Sequence, residues 1–136
     1  MKTLNTTKLT AIVMWTRIRH MAPRDFNSIA DMQLSRDILN IIGETMPELS
    51  SKIVALEGMK DATPQERNSA GEEYNALEAK VGDDKVAAEF EDAEFNYLFQ
   101  LFTAHGKDWF NTVDEFLTLN AQMNETNSAP KAKKEK

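Results

Sequence analysis

The side chains with most chemical reach in this chain are its acids. Asp83, Asp84, Glu89, Glu91, Asp92 and Glu94 fall within twelve consecutive residues, the density at which carboxylates share protons, hold a divalent cation or present a negative surface to a basic partner. For acid–base hydrolysis or sugar chemistry they lack the companions that such reactions use, since no metal motif or sugar-stacking aromatic pattern surrounds them. The Asp and Gly spacing of a calcium loop is absent as well. His20 and His105 are the only histidines; they lie far apart, and no His-Glu-x-x-His is present to assemble zinc ligands on one helix face. Cysteine is missing, which removes disulfides, thiolate metal sites and cysteine nucleophiles together. No Gly-x-Ser-x-Gly elbow occurs, and the five glycines stand singly rather than in a phosphate-cradling run. The expectation is a non-enzymatic protein with no catalytic residues, no metal site and no cofactor.

Charge is unevenly distributed. Of the formal net charge of -6, residues 1–40 contribute +3, residues 41–100 contribute -9, and residues 101–136 are balanced. The basic front includes Arg17, Arg19 and Arg24, while the acids above close the middle. An acidic chain is poorly suited to non-specific nucleic-acid binding, so no direct nucleic-acid partner is expected. Electrical polarity of this kind steers a protein partner, or sets the front of one copy against the middle of another. Among apolar residues, Met14, Trp15, Trp109 and Phe110 stand off the main helical stripes or at their ends. With Arg17 and Arg19 they are the candidates for protein contact, because aromatics, Met and Arg dominate interface anchors.

These residues need elements to place them, and start and stop signals supply a series of helices. Thr6 or Thr7 caps a first helix to about Met21, with Pro23 as its stop. Ser28 caps a second, striped by Ile29, Met32, Ile38, Leu39, Ile41 and Ile42 and ended at Gly43. Thr45-Met46-Pro47-Glu48 opens a third, with Thr45 as cap, which runs to Gly58. This pair resembles a helix-turn-helix in connectivity, but its second helix presents Glu48, Lys52 and Glu57, putting acid where DNA reading needs donors. Thr63-Pro64-Gln65-Glu66 opens a fourth helix to Gly82, with residues 58–71 expected to be mobile because Gly71 weakens its first half. Val86, Ala88 and Phe90 alternate with Ala87, Glu89 and Glu91, yet the same stretch also fits a helix. The reading adopted is a short strand over 85–91 and a helix over 94–104. Thr112-Val113-Asp114-Glu115 starts a last helix, with Phe110 and Phe116 packing across its start, which ends near Met123.

The expected fold class is mainly α: a compact bundle of about five helices with one short strand or hairpin near residues 85–91. Residues 1–123 form a single domain, and residues 124–136, ending Lys-Ala-Lys-Lys-Glu-Lys, form a disordered Lys-rich tail. No apolar run reaches the length of a secretory signal core or a spanning helix, so a cytoplasmic protein without a membrane partner is expected. The glycosylation-type triplets at Asn5 and Asn124 carry no weight in that compartment.

The segment Glu72-Glu73-Tyr74-Asn75-Ala76-Leu77-Glu78, the alternating Val86 to Phe90 stretch and the closing helix around Val113 to Leu119, following a helical first half, resemble the small uncharacterised accessory proteins of tailed bacteriophages. The resemblance spans about residues 28–123 and rests on order and composition. It implies a phage structural or assembly component, located in the virion or host cytoplasm, that works through a protein partner or self-association, and it brings no catalytic residues. The alternative is an acidic regulator or inhibitor that occupies a basic site on a host protein.

Overall fold

A computed structural model describes residues 1–134, and side-chain surroundings through Ser128. The elements run β1 (Lys2–Thr7), α1 (Lys8–Arg19), α2 (Ile29–Thr45), α3 (Pro47–Glu57), α4 (Pro64–Val81), β2 (Lys85–Phe90), α5 (Asp92–His105) and α6 (Val113–Lys134), with single 3-10 turns at Pro23–Asp25 and Gly106–Asp108. The architecture is mainly helical, with one two-stranded antiparallel sheet. No helix among the described residues is long and apolar enough to cross a membrane.

Most helix starts follow from side-chain capping. Thr7 Oγ1 accepts from Thr10 N, Ser28 Oγ from Asp31 N, and Thr63 with Glu66 closes a reciprocal box. The start of α3 differs from expectation. Its cap is Met46 without a side-chain hydrogen bond; the Thr45 hydroxyl instead donates to Ile42 O at 2.7 Å, and Glu48 turns away to Lys8. Gly43 does not end α2, which continues to Thr45, and no described glycine has positive φ. Its role is close approach: a Cβ there would lie 3.1 Å from Trp15 Nε1. The loop before α4, expected to be mobile, is gathered by Arg67, whose guanidinium donates to the carbonyls of Met59, Lys60 and Ala62.

The strand over Lys85–Phe90 is as expected, but its partner β1 was not foreseen. Register pairs Lys2 with Phe90, Leu4 with Ala88 and Thr6 with Val86. Lys2, Leu4, Thr6, Ala88 and Phe90 are buried, and Asn5, Lys85, Ala87 and Glu89 are exposed, so the sheet has one inner and one outer face. The inner face joins Ile38 and Ile42 of α2 and Phe95, Leu98 and Phe102 of α5 in the core. Ile29, assigned to the α2 stripe, is 71% exposed because it sits in the first turn, ahead of the packed part of the helix.

Lys8 N donates to Asp84 O, which fixes the parity of the ladder. In an antiparallel pair, narrow and wide pairs alternate, so Lys2, Leu4 and Thr6 bond to β2 while the main-chain groups of Thr3, Asn5 and Thr7 face the other way. Helix α6 packs along β1, and Thr126 Oγ1 donates to Thr3 O at 3.3 Å. The Lys2 ammonium donates to Asn127 O and Oδ1, both at 3.1 Å, and stands 5.4 Å from the Phe95 ring centroid. These contacts correct the tail boundary. The last helix passes Met123 and continues to Lys134, with Thr126 buried; residues 135–136 of the expected tail lie outside the described residues.

Truncation after Met123 therefore removes structural contacts. It is expected to lower unfolding free energy by about 2 kcal/mol, the sum of a few hydrogen bonds and the edge contact they maintain, measured by urea denaturation against the full chain.

Candidate functional site

Three of the residues expected to anchor a partner are in the core. Met14 is 1% exposed, Trp15 7% and Trp109 6%. Trp15 lies between Gly43 and the Arg19 guanidinium, whose carbon is 4.9 Å from the ring centroid. Trp109 tilts against Phe102 with centroids 6.0 Å apart. The off-stripe positions of Met14 and Trp15 reflect a wide buried face: α1 touches both β1 and α2, so the residues flanking its stripe are covered too.

Part of the basic front is engaged within the chain. Arg19 and His20 both reach Glu57 at the end of α3, His20 through Nε2 at 3.1 Å, and Lys8 pairs with Glu48 and with Asp84 at 3.6 Å. Arg17 and Arg24 are exposed without an ion pair among the described residues. The hydrogen bond from Lys8 holds the Glu48 carboxyl below the usual carboxylate range, and Arg19, with His20 adding to it, does the same for Glu57. Burial and a hydrogen bond to Glu78 raise the Tyr74 phenol above the ordinary tyrosine range.

The acids do not form one patch. Asp83 and Asp84 occupy the turn before β2, and Glu91, Asp92 and Glu94 the start of α5, about 20 Å apart along a six-residue strand. Glu89 lies between them on the outer face. Glu94 Oε1 accepts from Glu91 N at 2.8 Å as a helix cap, Asp92 faces the Met1 ammonium at 3.5 Å, and Asp84 faces Lys8. Among the described residues, no group of three or more His, Asp or Glu side chains is arranged to hold a metal ion. His105 is exposed at the last turn of α5.

Two surface features go beyond the residues expected from the sequence, of which the first includes only Phe110. One is an apolar strip where α6 begins: Val113 is 72% and Leu117 52% exposed, and half-buried Phe110 and Phe116 lie beside them, Phe116 stacked on Phe102 at 5.1 Å. Lys107, Phe110, Asn111, Thr112, Val113 and Phe116 line a concavity of about 330 Å³ there. The spacing of Val113 and Leu117, four apart on one helix face, was the available signal. The other is a more polar recess of about 400 Å³ lined by Asn5, Thr6, Thr7, Lys85, Val86, Ala87 and Gln122. Thr6 Oγ1 and Gln122 Oε1 are buried there without hydrogen-bond partners among the described residues.

Comparison with protein-family models, curated proteins and solved structures gives no match.

Two outcomes follow from this geometry. Trp15→Ala is expected to cost about 3–5 kcal/mol in unfolding free energy, and native tryptophan emission is expected to be blue-shifted and poorly quenched by acrylamide, as two core indoles require. Because the folded carboxyl of Glu48 titrates below its unfolded value, its pairing with Lys8 stabilises above the unfolded pKa and is lost as pH falls through the folded one. Glu48→Gln is therefore expected to lower stability at neutral pH and flatten the acid limb below about pH 4.5, measured by thermal melts over a pH series.

Proposed function

We propose that this chain is a non-enzymatic protein–protein interaction protein, a bacteriophage structural or assembly component that works by presenting a helix face to a virion partner or to copies of itself. The observation that carries this reading is the apolar strip of Val113 and Leu117 beside Phe110 and Phe116. Val113, Phe116 and Leu117 of α6 and Phe110 just before it lie together at an accessible helix start, whereas Leu119 and Met123 of the same helix are fully buried. Contiguous exposed apolar surface of this kind marks contact sites, and aromatic side chains beneath it supply the area that anchors a partner. The layout resemblance described above supplies the phage context.

The reading as an acidic inhibitor has less to stand on. Its carboxylates are divided between the two ends of β2, and Asp84, Asp92 and Glu94 already have partners within the chain.

The test is incorporation. In particles and assembly intermediates purified from cells producing the phage that encodes the chain, mass spectrometry is expected to detect the wild type and to show at least a tenfold loss for Val113→Glu combined with Leu117→Glu. Both changes are at exposed positions, so unchanged thermal unfolding of the variant separates loss of contact from loss of fold. Absence of the wild type from every such species, together with a strict monomer by light scattering, overturns the reading.

A further inference from the structure

The two edges of the sheet are treated differently. Along β1, α6 packs against the strand and Thr126 bonds to the outward carbonyl of Thr3. Along β2, which itself packs on α2 and α5, the ladder parity turns the N–H and C=O groups of Lys85, Ala87 and Glu89 away from β1. Among the described residues none of these groups has a hydrogen-bond partner on that side, and all three residues are exposed. An open edge is a template for another strand.

The charges on this edge select the strand that fits. Lys85 and Glu89 sit symmetrically about Ala87, and neither is in an ion pair among the described residues. They are about 13 Å apart along the strand and cannot pair with each other. In an antiparallel pair centred on Ala87, Lys85 of each copy stands opposite Glu89 of the other, and Ala87 opposite Ala87. Those three residue pairs are also the ones whose main-chain groups face outward, so all exchange hydrogen bonds in that register. A single charge sign on an edge repels every strand like itself; here the opposed signs make the segment complementary to its own reverse. Of the acids flanking the edge, Asp84 faces Lys8, Asp92 faces the Met1 ammonium, and Glu91 sits at the positive end of the α5 dipole. That leaves Asp83 as the main opposing charge.

We propose that β2 is a self-association edge: two copies join their β2 strands antiparallel about a twofold axis through Ala87, forming a four-stranded sheet held by main-chain bonds and two Lys85–Glu89 ion pairs. This rests on the interaction reading above but uses a surface separate from the α6 strip.

Sedimentation velocity of the full chain tests it. The wild type is expected to dimerise reversibly with a dissociation constant of about 100 μM, as suits a small edge contact. Ala87→Pro removes an N–H that β1 does not use, at a position where an edge strand accepts proline, and is expected to abolish the dimer while leaving the circular dichroism spectrum intact. Lys85→Glu and Glu89→Lys are each expected to weaken the dimer about tenfold. Combining both changes in one chain, or mixing the two single variants, restores pairing, because each arrangement again sets opposite charges across the axis. If Ala87→Pro does not fold, the charge variants and their rescue decide alone. A wild type monomeric to about 1 mM, well above the expected constant, or a dimer indifferent to the charge variants, overturns the edge pairing. Either result leaves the α6 reading to its own variant, Val113→Glu with Leu117→Glu.

Discussion

The structure depends on one non-local pairing. β1 and β2 are separated by four helices in the chain, yet their register brings Leu4 opposite Ala88 and Lys2 opposite Phe90. This ladder sets where α1 leaves the sheet and where α5 begins, because Thr7, its last β1 residue, and Glu91, the residue after β2, are the caps of those helices. The cluster of Phe90, Phe95 and Phe99, with successive centroids 6.3 and 6.1 Å apart, grows from the point where the strand turns into the helix. A two-stranded ribbon alone is marginal in water; here burial of its inner face on α2 and α5 stabilises it.

Much of the helical framework was legible in the sequence because it is written locally. Ser28, Thr63 and Thr112 each cap through a side chain three residues from its partner, and such signals need no tertiary information. β2 was legible through alternation. β1 was not, because Lys2, Thr3, Asn5, Thr6 and Thr7 look like solvated chain, and only the fold shows that Lys2 is buried between Asn127 and an aromatic ring. The same limit hid the true extent of α6: Thr126 and Asn127 read as polar tail until β1 gives them carbonyl and ammonium partners.

The candidate site was less legible than the fold, and for a physical reason. Large aromatics serve the core and the interface equally well, and a single chain gives no local sign of which. Trp15 and Trp109 went to the core, whereas Val113 and Leu117, smaller and less conspicuous, stayed at the surface. Charge had the same ambiguity. Arg19 reads from the sequence as part of a basic face for partners, but it is tied to Glu57 on α3, whereas Arg17 and Arg24 stay exposed.

The contact between Thr126 and Thr3 has a consequence in time. β1 is made well before its strand partner, residues 85–90, and before the helix whose Thr126 bonds to its outer edge. Until those later segments are made, the main-chain groups of Lys2–Thr7 lack the partners they have in the fold. Loop closure over such a separation slows folding, and unpaired strand edges during that interval invite association. The polar composition that conceals β1 from sequence reading also suits a segment that must wait in water.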